Sequence, residues 1–259
     1  FDEQLVVLIE AAFREDVGDG DHSTLCCISA GAMGKAVLKI KQEGILAGMG
    51  VAVKIFRYCF PATLFTAFKK EGDAMQPGEI AFEATAPVHT ILQCERLVLN
   101  CMQRMSGIAG LTRQYTDKLP GYTTRIPDTR KTTPNFRLLE KEAVRIGGGV
   151  NHRMGLYDMI MLKDNHIDYC GGIEQAIELA WQYTQTVKPG LKIEVETRSI
   201  EDVKKVLAIG KVNRIMLDNF SVAQVAGALD LIGGRFETEA SGGINLDNIE
   251  AYAQTGVDF

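Results

Sequence analysis

Several things are missing from this chain, and each absence removes a class of function. None of its six cysteines, at 26, 27, 59, 94, 101 and 170, forms a CxxC pair or a Cys/His cluster with metal-ligand spacing. A structural zinc site and a dithiol redox motif are therefore excluded, and reduced thiols in a cytoplasmic protein are the simplest reading. No apolar run is long enough to span a bilayer, and no signal peptide is present, so no membrane role is expected. Basic charge is not in excess: the formal net charge is -5, which leaves no global field to attract nucleic acid. The acidic stretch Asp16-Val-Gly-Asp-Gly-Asp-His22 lacks the terminal Glu of a calcium loop and reads as a connector, with His22 a loop residue.

What is there is a local reversal of charge. Between Arg96 and Lys163 the chain carries 12 Lys or Arg against 5 Asp or Glu, inside an otherwise acidic protein. A basic segment confined in this way suits a small anionic ligand better than a polymer. At its centre lies Asp128-Thr-Arg-Lys-Thr-Thr-Pro134. An isolated Arg-Lys pair is most simply a solvated turn. Here two adjacent cations flanked by hydroxyls follow a short apolar run, 122–126, that reads as a strand, and precede a helical pattern, 135–146. A βα turn of this kind carries the chemistry in barrel folds, and Arg grips carboxylate or phosphate bidentately while Lys adds a point charge.

The first part of the chain mixes periodicities. Residues 4–15 carry a helical stripe, 34–47 alternate as a strand, 49–60 read as a helix, and 63–69 and 79–92 read as strands. A long helical pattern runs over 95–118, with Gly107 and Gly110 suggesting a break near its middle or a close approach of another backbone. The domain boundary is placed there: 1–105 as an N-terminal α/β module and 106–259 as a catalytic α/β barrel.

Beyond Gly121, short apolar runs alternate with helical ones. Strands are expected at 122–126, 158–162, 191–195, 214–217 and 236–239. Helices are expected at 135–146, 173–183, 200–209, 222–231 and 246–255. Crossovers of this length imply parallel strands. Every expected strand finishes in charged or phosphate-compatible residues: Asp128 to Lys131; Lys163 to His166; Glu194 and Glu196; Asp218-Asn219; Glu239, then Ser241-Gly242-Gly243. His152 and Arg153 follow Gly147-Gly148-Gly149, whose backbone permits close approach to a ligand, and read as anion donors beside Arg130, Lys131 and Lys163. Glu196 and Asp218 end neighbouring strands and suit a divalent cation, ribose hydroxyls or a developing positive charge. Ser241-Gly242-Gly243 before a helix reads as a phosphate turn.

In order, Glu95-Arg-Leu97, Gln103-Arg-Met-Ser-Gly-Ile-Ala109, Asp128 to Pro134, Leu139-Glu-Lys141, Gly147 to Arg153, Leu162-Lys-Asp-Asn-His166, Ile193-Glu-Val-Glu196, Leu217-Asp-Asn219 and Ser241-Gly-Gly-Ile244 closely resemble the quinolinate phosphoribosyltransferase family, decarboxylating enzymes of NAD biosynthesis. The series is specific; no single motif is. The resemblance implies a type II phosphoribosyltransferase: an N-terminal α/β sandwich domain plus an open α/β barrel. It implies a homodimer, or a higher oligomer, in which Arg96 reaches the neighbouring subunit's pocket.

It further implies that Arg96, Thr129, Arg130, His152, Arg153 and Lys163 hold the two carboxylates of quinolinate. Lys131, Glu196 and Asp218 would be catalytic and face phosphoribosyl pyrophosphate, with Mg2+ carried on its pyrophosphate rather than bound directly. Ser241, Gly242 and Gly243 would hold the 5′-phosphate. The family's next phosphate loop would follow Phe259, and the chain opens at Phe1 rather than Met, so the sequence reads as shortened. The rival readings are a sister transferase acting on nicotinate, a Schiff-base aldolase with Lys163 as nucleophile, and a metabolite-binding protein without turnover.

Overall fold

The computed structural model describes residues 1–259 and resolves into two compact units, Phe1–Arg113 with Lys131–Asn151, and Gln114–Arg130 with His152–Phe259. The sequence places a single boundary at 105/106; in the structure, residues 131–151 group with the first unit.

In the first unit, α1 (Asp2–Asp16) buries Leu5 and Ile9, one stripe of its helical period. Asp21 caps α2 (His22–Cys27) by accepting the Thr24 N–H, so His22 opens a helix and is not a loop residue. The strand β1 (Met33–Lys39) gives way to β2 (Gly44–Ile45), and α3 (Met49–Cys59) follows. Glu71 caps α3 with both carboxylate oxygens, each 2.9 Å from the N–H of Gly48 or Gly50. The strands β3 (Leu64–Ala67), β4 (Ala74–Met75) and β5 (Ile80–Pro87) complete an antiparallel sheet ordered β1-β5-β3 and a small β2-β4 pair.

The strand expected to run to Leu92 ends at Pro87, where the chain turns directly into α4 (Val88–Thr116). Of the two readings of Gly107 and Gly110, the break does not occur: α4 is continuous for 29 residues, about 43 Å of helix, and a Cβ at Gly110 would lie 3.9 Å from the Ile45 backbone nitrogen. Cys94, Val98, Cys101, Met102, Met105 and Ala109 are buried at three- and four-residue spacing along it, and that burial outweighs the ~1 kcal/mol each glycine costs. Finally, α5 (Arg137–Ile146) begins two residues later than the sequence suggests, because Thr133 to Phe136 form a turn held by Glu140.

The second unit is built on a parallel sheet. Its strands β6 (Ile160–Leu162), β7 (Ile193–Thr197), β8 (Arg214–Asp218) and β9 (Glu237–Ser241) lie side by side in sequence order. Between them run α6 (Asp164–Cys170), α7 (Ile173–Thr186), α8 (Ile200–Ile209) and α9 (Val222–Ile232); α10 (Ile249–Ala253) comes after β9. Short, polar α6 has no counterpart in the sequence reading. Residues 122–126 form no strand; Arg125 N–H donates to the Asp258 carbonyl at 2.9 Å, and Thr124 Oγ1 to that of Val257 at 2.6 Å.

Side chains alternate across a strand, and here the alternation separates two chemistries. One face carries Ile160, Leu162, Ile193, Val195, Ile215, Leu217 and Ala240, and packs on Ile177, Val203, Val206, Val225 and Ala228 of the helices. Each such fully buried aliphatic side chain contributes ~1.5–3 kcal/mol. Strand register places Met161, Glu194, Arg214 and Glu237 in one row across the opposite face. Glu196, Met216 and Glu239 form the next row, with Lys163 one residue past β6, and Asp218 pairs with Ser241 at the carboxyl edge.

Candidate active site

The carboxyl edge of the sheet collects most of the residues singled out above. Lys163 is the N-cap of α6, and its N–H donates to His166 Nδ1 at 3.0 Å. Its ammonium lies 3.1 Å from Glu196 Oε2, bridging the ends of β6 and β7. Lys163 is about half exposed while Glu196 is buried, so the pair presents its cation outward. Asp218 ends β8 and accepts the Asn219 side-chain amide at 2.7 Å.

Asn219 takes a left-handed backbone (φ 58°), and its N–H donates to the Ser241 carbonyl at 2.7 Å. Gly242 follows at φ 96°, where a Cβ would sit 2.2 Å from Asn219 Oδ1. Only glycine fits, because both the backbone conformation and the space exclude a side chain. The helix expected at 246–255 begins later, with α10 at Ile249, and Asn248 Nδ2 donates to the Gly243 carbonyl at 3.0 Å.

One row deeper is a buried ionic layer that the sequence reading missed. Arg214, never singled out, donates to Glu239 Oε2 at 2.8 Å and Glu237 Oε2 at 3.1 Å. The Phe259 ring lies 3.8 Å from its guanidinium carbon, a cation–π contact. Burial alone would lower Arg214, but Glu194, Glu237 and Glu239 outweigh it and hold the guanidinium above its ordinary range. Glu239 is pushed up to about 7, first by burial and then by the neighbouring Glu194 carboxylate, with His152 and Arg214 opposing. Period-two alternation of β7, β8 and β9 was the available signal: it puts Glu194, Arg214, Glu237 and Glu239 on the face opposite the aliphatic residues.

His152 belongs to this layer. Its Nδ1 accepts the Arg153 N–H at 2.7 Å, so the proton sits on Nε2, which donates to Glu194 Oε2 at 2.8 Å. The sequence reading makes His152 an anion donor; in the structure both ring nitrogens are engaged internally and its side chain is 5% exposed. Arg153 is buried and donates to the Met159 carbonyl at 3.3 Å and to Met161 Sδ at 3.4 Å. Burial and then the positive Arg130 lower its guanidinium below the ordinary range. Arg130 and Arg153 are thus electrostatic neighbours, two of the five residues expected to cluster here. Thr129 is exposed, and the preceding Asp128 accepts the His152 N–H at 2.8 Å.

His152, Glu194 and Glu239 offer ligand atoms within 4.8 Å of one another. The Arg214 guanidinium already supplies positive charge to Glu239, and Glu194 is wholly buried, which does not fit magnesium with its retained waters.

In the first unit, Arg96 is exposed on α4 and Lys131 is exposed ahead of the α5 turn. Arg104 donates to Glu140 Oε1 at 2.7 and 2.9 Å and to Thr133 Oγ1 at 3.0 Å. The glycine run is also placed differently from expectation. A Cβ at Gly147 would lie 2.5 Å from the Ala109 carbonyl, so this glycine admits α4 rather than a ligand.

Family models divide the chain once, between residues 106 and 108, so residues 131–151 fall within the C-terminal match. Residues 21–106 match the family described as quinolinate phosphoribosyl transferase, N-terminal domain, and residues 108–259 match its C-terminal domain. The chain belongs to the quinolinate phosphoribosyltransferase family. It is 41% identical over 267 residues to quinolinate phosphoribosyltransferase [decarboxylating] 1b of Nicotiana tabacum, covering 97% of this chain and 76% of that one. It is 40% identical over 248 residues to a probable nicotinate-nucleotide pyrophosphorylase [carboxylating] of Synechocystis sp., covering 95% and 82%. The solved structure of NadC from Streptococcus pyogenes superposes with a TM-score of 0.91 at 39% identity, covering 100% of this chain and 90% of that one. The fold is that of the family, an α/β sandwich domain and an open α/β barrel. No helix is long and apolar enough to cross a membrane.

Proposed function

We propose that this chain joins quinolinate to phosphoribosyl pyrophosphate, releasing CO2 and pyrophosphate and forming nicotinate mononucleotide. The observation that carries the reading is the carboxyl edge of the parallel sheet, where Lys163, Glu196, Asp218 and Ser241 end four adjacent strands beside the Arg130–Arg153 pair. Family membership supplies the substrates.

In this reading Arg130, Arg153 and Lys163, with Thr129, hold the two carboxylates of the pyridine, and buried His152 backs the subsite through the Arg153 N–H without touching the ligand. Arg96, exposed on α4, completes it from a second copy of the chain. Lys131 faces the pyrophosphate, and Ser241, Gly242 and Gly243 receive the 5′-phosphate. The oxygen donors Glu196 and Asp218 are compatible with a magnesium ion carried on the pyrophosphate, which neutralises charge on the leaving group.

The chemistry asks for orientation and charge rather than an acid–base triad. Pyrophosphate leaves C1 of the ribose with the bonding pair, and positive charge develops on the sugar. Glu196 and Asp218 hold the ribose hydroxyls and stabilise that charge. The pyridine nitrogen attacks C1 and becomes quaternary. The C2–carboxylate bond then breaks, CO2 departs, and the electron pair left on C2 takes a proton.

Labelled CO2 should be released from quinolinate only when phosphoribosyl pyrophosphate and Mg2+ are both present. Equal turnover of nicotinate would reject the dicarboxylate assignment, and borohydride trapping of a carbonyl substrate on Lys163 would favour an aldolase instead.

A further inference from the structure

Glu194 is the most deeply buried acid in the second unit, with no exposed surface, so it cannot touch a substrate. One oxygen accepts His152 Nε2–H; the other, Oε1, is buried with no hydrogen-bond partner. A carboxylate held this way is costly, because a buried acceptor left unmade forfeits the solvation it had in water. Nothing in the proposed chemistry uses it directly.

We propose that Glu194 is a positioning residue for the dicarboxylate subsite, acting through His152 on Arg153; the inference rests on the reaction assigned above. The chain of contacts has one direction. Glu194 Oε2 at 2.8 Å, with Glu239 Oε2 farther off at 3.5 Å, is the acceptor that holds the proton on Nε2. That leaves the Nδ1 lone pair facing the Arg153 N–H at 2.7 Å. Asp128 Oδ1 takes the His152 N–H at 2.8 Å, so the same histidine also ties down the start of the Asp128-Thr129-Arg130 stretch. Arg153's own side-chain partners are a carbonyl at 3.3 Å, long for a hydrogen bond, and a thioether at 3.4 Å, a weak acceptor, so its aim depends on how its backbone is held. Moving the proton to Nδ1 would set two donors against each other at that 2.7 Å contact and push the Arg153 backbone away. A negatively charged acceptor holds the imidazole tautomer more firmly than a neutral one, as second-layer carboxylates do for metal-bound histidines.

The test compares Glu194→Gln and Glu194→Leu in the intact protein. In 15N spectra of the wild type, with the signal assigned by its loss in His152→Gln, His152 Nδ1 should resonate as a pyridine-type and Nε2 as a pyrrole-type nitrogen. Gln keeps an acceptor, and both the tautomer and the quinolinate KM should stay near wild type. Leu removes it. The tautomer should then mix or reverse, and the quinolinate KM should rise ~10–100-fold, while the phosphoribosyl pyrophosphate KM moves by less than about twofold. A wild-type proton on Nδ1, a Leu variant that keeps the wild-type tautomer, or both KM values rising together would overturn the proposal. Should the Leu variant not fold, the wild-type spectrum and the Gln variant still decide: a mixed tautomer in wild type, or a Gln variant with both KM values raised, overturns it. The spectra need no turnover, so they test Glu194 even if quinolinate is not the substrate.

Discussion

The two units bury their acids on different terms. In the first, buried Glu140 accepts from Arg104 and from both the N–H and the hydroxyl of Thr133. In Glu140 burial pushes the carboxyl up, but Arg104 and Thr133 outweigh it and hold it below its ordinary value. In the second unit Glu194, Glu237 and Glu239 crowd one arginine, one oxygen has no partner, and Glu239 rises to about 7. A satisfied buried acid fastens structure. An unsatisfied one persists where a site needs the field it creates, which is why the unit carrying the sheet edge also carries the strain.

The sharpest way to break this contrast is to remove the charge that keeps the second unit's layer together. Arg214 is buried and answers two carboxylates directly. Arg214→Met leaves Glu239, whose side chain is 9% exposed, uncompensated in a low-dielectric interior, and the cost of stranding a buried ion is ~3–5 kcal/mol. Urea denaturation should show that loss. A change below about 1 kcal/mol would mean that the layer takes up water or protons at little cost, and the two units would then be alike.

The matching experiment in the first unit is Arg104→Met. The Arg104 side chain is 56% exposed while Glu140 is buried. Glu140 keeps the Thr133 N–H at 3.1 Å and the Thr133 hydroxyl at 2.8 Å. The expected loss is therefore smaller, ~1–2 kcal/mol, within the range for a single charged hydrogen bond. A loss as large as that of Arg214→Met would show that Glu140 is as poorly compensated as the acids of the barrel.

How much of this was visible in the sequence differs by element. Alternating apolar runs and helical stripes located β7, β8, β9, α7, α8 and α9 to within a few residues, because each buries one whole face and so carries its period. The strand at 122–126 failed because its partners are residues 257–258, a pairing with no local signature. At Gly107 and Gly110 propensity left a break or a close backbone approach open; α4 is continuous, and a Cβ at Gly110 would lie 3.9 Å from the Ile45 backbone nitrogen while one at Gly107 would meet only open space. The strand-end residues Lys163, Glu196, Asp218 and Ser241 were legible as chemistry. Arg214 and the second role of His152 were not, since a charged residue in mid-strand looks like a surface residue until the register of its neighbours is known.

The finest discrimination between the units is by pH. Glu239 has a folded value of about 7 against an ordinary 4.5. The folded state therefore holds a proton that the unfolded chain gives up earlier. Its stabilising effect is complete below about pH 4.5 and is lost as pH rises through about 7. Glu140 has the opposite sign: it is held below its ordinary value, so its contribution is present at neutral pH and lost only on acidification. Between pH 5 and 8 the melting temperature should therefore fall through Glu239 and be indifferent to Glu140. Glu239→Gln, which keeps an oxygen for Arg214, should flatten that slope, and Glu140→Gln should leave it unchanged. A slope that survives Glu239→Gln would assign the titration elsewhere and remove the basis for treating the barrel's acids as a class apart.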